Sequence, residues 1–218
     1  MGTGLNGGKM GDKLVSEAKQ NIVNDVMLDK LFNAVSYAEM GPQYLEAIGQ
    51  SHPYIRTSAA PPTGSSAYGP LQLTSGPESM VQSILADKYH GVRRKIGLTS
   101  KELEYMNRFV EQGEKFLEYG KEPGKPGYDV KYDYSSKIPG SGAGDLSSPD
   151  DRALYDAIGR KIIDYEYNIQ AQGDPMLFLR NWKQGRGDSP EKSEQWVRFI
   201  NSKAGQDYIQ RFKANLTQ

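Results

Sequence analysis

Residues 36–41 of the chain read SYAEMG, and residues 65–74 read SSAYGPLQLT. The first stretch ends an apolar run that predicts a helix, because hydrophobic residues up to Val35 and Ala38 recur at steps of three and four. A glycine and a proline follow at once and predict the end of that helix beside Glu39. Apolar surroundings favour the protonated form of a carboxyl group, as a general acid requires. Glu39 is therefore the candidate catalytic acid.

The second stretch predicts a loop that a ligand can approach closely. Gly69 removes a side chain from the turn, and Gln72 offers both a hydrogen-bond donor and an acceptor to a hydroxyl or an acetamido group. Tyr68 adds an aromatic face. Together with Glu39, the loop is suited to protonating a glycosidic oxygen while a sugar is held.

Glu39 followed by this loop resembles the lysozyme-like superfamily of peptidoglycan-cleaving enzymes. It is most similar to the soluble lytic transglycosylases, whose glutamate is followed by the pattern Gly-Ala-x-Gly-Leu-Met-Gln. Ala67, Gly69 and Gln72 match that pattern, and Ser66 stands at its first glycine. The lytic enzymes of lambda-type phages show a similar order of glutamate, His-Pro and small-residue loop, and His52-Pro53 occupies the middle here.

The resemblance implies a mostly α, α+β lysozyme-like fold, in which a helical lobe and a small β or irregular lobe flank a substrate cleft. It implies bacterial peptidoglycan as the substrate and no cofactor or metal. In the transglycosylases a serine commonly follows the glutamate, whereas Met40 does so here. The candidates for orienting the acid or the substrate are instead Thr57, Ser65 and Ser66.

The type of reaction depends on a second carboxylate, which two-carboxylate glycosidases hold within about 10 Å of the acid. Glu46 and Glu78 are the nearest choices in the sequence, and neither resembles the second acid of phage muramidases. The chain thus resembles the single-glutamate enzymes, which cleave the MurNAc-GlcNAc bond and leave 1,6-anhydromuramyl ends. A hydrolytic muramidase remains the alternative.

A later cluster, WKQGRG at residues 182–187, joins two predicted helices. Similar turns line the sugar cleft in this superfamily, so Trp182 is a candidate for stacking on a sugar ring, with a core position as the alternative. Tyr167, with its neighbours Tyr165 and Asn168, resembles the Tyr- and Asn-containing motif of the transglycosylases. The helical period also accounts for these tyrosines.

The composition limits the kinds of partner that the protein is expected to bind. The 218 residues carry 27 basic and 27 acidic side chains, and this balance gives no electrostatic preference for nucleic acid. There is no cysteine, and the two histidines do not predict a metal site. No apolar stretch approaches the length of a membrane span, so no stable membrane insertion is expected. The start of the chain lacks a signal-peptide pattern, which predicts synthesis in the host cytoplasm.

The chain is expected to form one catalytic domain over residues 12–218, preceded by a glycine-rich flexible arm at 1–11. A mobile loop rich in glycine and proline is expected at about 120–147. Helices are predicted at 12–40 (two), 77–89, 99–119, 149–173, 175–183, 190–201 and 204–215, and short extended pieces within 42–75. Thr99 and Glu102 have the spacing of a capping box, and Ser148 followed by Pro149 predicts a helix start. The expected setting is the bacterial cell wall, as a phage endolysin or a virion component with other virion proteins as partners. The rival is a non-catalytic virion protein that keeps the fold.

Overall fold

The structure, a computed structural model, describes residues 25–41, 54, 66–76, 79–87, 91–119, 146, 148–185 and 189–217. The first described element is helix α1 at residues 25–40. In chain order there follow α2 (Met80–Leu85), α3 (Val92–Ile96), α4 (Ser100–Tyr119), α5 (Pro149–Asp164), a π-helix (Tyr165–Gln170), α6 (Pro175–Gln184), α7 (Pro190–Asn201) and α8 (Lys203–Leu216).

The prediction of a mostly helical fold is confirmed for the described part of the chain, which contains no strand. The expected β lobe falls largely on residues 42–65, of which only Tyr54 is described. Near the C-terminal end of the expected lobe, Tyr68 and Leu73 form an isolated antiparallel bridge. The glycine-rich arm and nearly all of the loop at 120–147 also lie outside the described residues. None of the described helices is long and apolar enough to span a membrane.

Helix starts follow the local sequence closely. Thr99 and Glu102 form the predicted capping box: Thr99 N donates to Glu102 Oε2 at 2.6 Å, and Glu102 N donates to Thr99 Oγ1 at 3.3 Å. Ser148 accepts from the Asp151 amide, and Pro149 occupies the first turn of α5 as predicted. Equivalent side-chain caps start other helices at Ser79, Asp174, Ser189 and Ser202.

The helix predicted to run to Gly173 differs from the structure at its end. The α-helical part stops at Asp164, and the chain continues as a π-helix to Gln170, with the Ala171 amide donating to the Glu166 carbonyl. Gln172 and Gly173 then adopt positive φ angles of 52° and 82°. These left-handed residues end the helix, because a right-handed helix cannot continue through them.

The core is formed by buried residues of α1, the turn at 66–75, α4 and α5, and it continues into α6 and α8. Tyr155 of α5 organises it: its buried hydroxyl donates to the Tyr68 carbonyl at 2.8 Å and accepts from the Leu71 amide at 3.1 Å. Burial raises the pKa of the Tyr155 phenol well above its usual range, so the group keeps the proton that it donates. The turn is thereby fixed to α5, and residues 66–71 are buried.

Candidate functional site

Glu39 lies in the last turn of α1, a helix whose inner face is fully buried through Leu31, Val35 and Ala38. Its carboxylate accepts a hydrogen bond from the Tyr208 hydroxyl, which lies 2.6 Å from Oε1. Lys183 Nζ lies 3.2 Å from Oε2 and 3.5 Å from Oε1. The Glu39 side chain is 13% exposed. The Glu39 carboxylate thus lies at the end of a helix whose inner face is buried, and part of its surface is open to solvent.

Lys183 brings the late cluster to Glu39 across 144 positions of sequence. It is the last but one residue of α6, which begins at Pro175 behind the Asp174 cap. Trp182, the candidate for sugar stacking, is half-buried and packs against Phe178 with ring centroids 5.7 Å apart. The ring therefore has both a contact with the core and an exposed part, and stacking on a sugar stays a prediction.

Two residues of α8 that the sequence patterns did not single out complete this cluster. Tyr208 is buried, and burial together with the Glu39 carboxylate raises the pKa of its phenol well above the usual range. Its hydroxyl therefore stays protonated and donates to Glu39. Arg211 donates to the Ala38 carbonyl at 2.9 Å, where α1 ends. The spacing of Tyr208 and Arg211 places them on one helix face, but nothing local pairs that face with α1.

The loop around Gln72 is a tight turn rather than an open loop. Gln72 has a φ of 50°, its amide donates to the Gly69 carbonyl at 3.0 Å, and its side-chain Nε2 donates to the same oxygen at 2.8 Å. The side chain is half-buried. Gln72 thus has exposed surface for a ligand while it also closes its own turn.

The other predicted contact residues take several positions. Tyr68 is fully buried, donates to the Leu146 carbonyl at 3.1 Å and meets Phe109 edge to face, so contact with a sugar would require the turn to open. Ser66 is buried and accepts from the Ser75 amide at 2.9 Å. Tyr167 lies in the π-helix, half-buried against Phe178. Ser65 and Thr57 lie outside the described residues.

The turn and the acid share one side of α1. A Cβ placed on Gly159 of α5 would lie 2.5 Å from Leu71 and 3.0 Å from Phe32, so the turn and α1 meet above that glycine. Phe32 and Glu39 are seven residues apart, which is about two helical turns or about 10 Å along the axis. The turn therefore borders the same face of α1 that carries Glu39.

Another half-buried carboxyl group, that of Asp156, lies on α5. Burial raises the pKa of Asp156, while the Tyr54 hydroxyl at 2.8 Å and the charge of Arg160 act in the opposite direction. Arg160 pairs with Asp29, ten positions before Glu39 on α1, which is about 15 Å along that helix. Asp156 therefore lies near the other end of α1, away from Glu39. Glu46 and Glu78 lie outside the described residues, and the described ones include no acidic or histidine cluster able to hold a metal.

No family model, no curated protein and no solved structure matches the chain.

Proposed function

We propose that the protein cleaves the MurNAc-GlcNAc bond of bacterial peptidoglycan, with Glu39 as the single acid and base. The observation that carries the proposal is the meeting of α1, α6 and α8 at the Glu39 carboxylate. The sequence singles out Glu39 and the stretch from Trp182 separately, and the Lys183 contact joins them. A carboxyl group that is partly exposed at the end of a buried helix has the rigid support that acid catalysis needs.

The proposed reaction needs one proton and no water. Glu39 gives its proton to the glycosidic oxygen as the bond from that oxygen to C1 of MurNAc breaks. The carboxylate then removes the proton of the C6 hydroxyl of the same sugar, whose oxygen bonds to C1. The products are a 1,6-anhydromuramyl end and a free hydroxyl on the next sugar, and Glu39 ends protonated.

We propose further that the substrate cleft extends beyond Glu39. A small lobe over residues 42–75 flanks the substrate cleft, with the half-buried Gln72 at its border. The protein acts at the cell wall, as a released endolysin or as a virion component. In support, the Tyr208 hydroxyl donates to one carboxylate oxygen of Glu39. The other oxygen pairs with Lys183, whose side chain is more exposed.

Glu39→Gln tests the acid directly. The amide keeps the shape of the side chain and an oxygen for Tyr208, but its N–H protons are not acidic enough to be transferred to the glycosidic oxygen. We expect clearing of a purified wall suspension to fall by far more than about tenfold, which is ~1.4 kcal/mol in the barrier. Mass spectrometry of wild-type digests should find 1,6-anhydromuramyl ends, and reducing muramic acid would instead favour the hydrolase.

Glu111→Gln is the matched control. Glu111 is an exposed helical glutamate bonded to Lys115 within α4, and its replacement should leave clearing unchanged. Thermal unfolding of both variants separates lost chemistry from lost folding. Retention of about a tenth or more of the wild-type rate by Glu39→Gln would remove Glu39 as the acid.

A non-catalytic protein is the second candidate, and the Glu39 contacts favour it in one respect. Both described partners of the carboxylate are donors, as in a structural anchor between helices. This candidate predicts that the wild-type protein clears no wall suspension and that Glu39→Gln acts on stability alone.

A further inference from the structure

Lys183 is the more exposed member of its ion pair with Glu39. The Lys183 side chain is 34% exposed, against 13% for Glu39. Its Nζ also lies 4.6 Å from the centroid of the Tyr208 ring. The ammonium is thus held between a carboxylate and an aromatic face, and it is the member of the pair that a ligand reaches first.

Arg211 places a second cation beside the same helix end. One guanidinium nitrogen donates to the Ala38 carbonyl, and the buried Nε has no hydrogen-bond partner among the described residues. The guanidinium carbon would lie 3.4 Å from a Cβ at Gly41. The end of α1 therefore carries two cations near one carboxylate.

The charges at this place change when Glu39 takes up the proton that the proposed reaction requires. The neutral acid no longer balances the ammonium of Lys183, and a partly desolvated cation without a counter-charge is costly. An acidic group on the ligand would restore the balance at the moment when the acid is ready to react. A neutral ligand would leave the cations unpaired.

We infer that Lys183, supported by Arg211, selects sugar strands that carry a free carboxylate. The inference rests on the proposed glycosidase function and specifies its substrate class. Two sources offer this chemistry: the lactyl carboxylate of a strand without peptides, and the acidic groups of a stem peptide. Lys183 is then a specificity-determining residue, and it leaves Glu39 when the acidic group binds.

The experiment compares kcat/KM on matched strands. Peptide-free strands and peptide-bearing strands are each prepared with free carboxylates and with the same carboxylates converted to amides. We expect wild-type protein to prefer the acidic form of at least one pair by about tenfold or more, and that pair identifies the source. Lys183→Gln should reduce the preference to below about twofold, and Lys183→Arg should restore it because the charge returns.

Each other outcome overturns the inference. Equal cleavage of the acidic and amidated strands by the wild type refutes it and leaves the proposed function standing. The same holds if Lys183→Gln slows both forms equally, since Lys183 then only supports Glu39. Failure of the wild type to cleave any of the four strands removes the proposed function and this inference together. Thermal unfolding of each variant confirms that the compared proteins are folded.

Discussion

Gly69 shows how one residue fixes the turn that carries Gln72. Its φ is 72°, and a Cβ at this position would lie 2.5 Å from the ring of Tyr155. Both the backbone conformation and the close packing therefore require glycine. The sequence suggested that Gly69 lets a ligand approach the backbone, whereas in the structure the Tyr155 ring packs against it.

Gly69→Ala should lower the free energy of unfolding by at least about 2 kcal/mol, because it adds steric overlap to left-handed strain. Gly91→Ala is the control. Gly91 has a φ of 82°, and a Cβ there meets no atom of the described residues within 4 Å. Gly91→Ala should lower the free energy of unfolding by about 1 kcal/mol, from backbone strain alone. Urea unfolding measures both, and equal losses would show that the contact with Tyr155 does not constrain the turn.

Helices α4 and α5 are joined by the buried carboxylate of Glu102. Glu102 is 5% exposed, closes the capping box of α4 and accepts from Lys161 Nζ of α5 at 2.7 Å. Burial alone would raise the pKa of Glu102. The hydrogen bond from Lys161, the two hydrogen bonds with Thr99 and the lysine charge outweigh burial and lower it. The charged form of Glu102 therefore stabilises the folded state.

Stability should accordingly fall on acidification. The contribution of Glu102 is complete above its unfolded-state pKa, near 4.5, and is lost as the pH falls through the lower folded-state value. Glu102→Gln should lower the melting temperature at pH ~7 by an amount that corresponds to about 1–3 kcal/mol, and should flatten its acid dependence. Glu111→Gln, at an exposed pair, should keep the wild-type slope. A parallel slope for Glu102→Gln would contradict the assignment.

The elements also show which features the sequence could predict. The capping box at Thr99 and the start of α5 at Ser148 were predicted, because a cap involves residues within one turn of each other. The π-helix was not, since its apolar spacing also fits an α-helix. Glu39 was singled out from its local setting, and its role as an acid stays a prediction. Tyr208 and Arg211 were missed because their contacts with Glu39 and Ala38 span 169 and 173 positions, which no local pattern encodes.

Across the whole molecule, the first described helix is held by the last. Tyr208 and Arg211 of α8 bind the end of α1, and Lys183 of α6 binds the same carboxylate. Helix α7 has no buried residue of its own and lies against α6 and α8, with Phe199 edge to face on Tyr208 at 5.6 Å. Side-chain contacts from α6 and α8 therefore connect the C-terminal helices to the end of α1.

This arrangement predicts that the described helices unfold as one unit. In a Trp182→Phe variant, Trp196 reports on α7, and in a Trp196→Phe variant, Trp182 reports on α6. Both fluorescence midpoints in urea should coincide with the midpoint from circular dichroism of the same variant, as in a two-state transition. Adding Tyr208→Phe leaves the Glu39 carboxylate without a hydrogen bond worth about 1.5–3 kcal/mol, and should lower all midpoints together. An earlier loss of the Trp196 signal alone would show that α7 unfolds separately, so that the contacts of α6 and α8 with the end of α1 do not hold it.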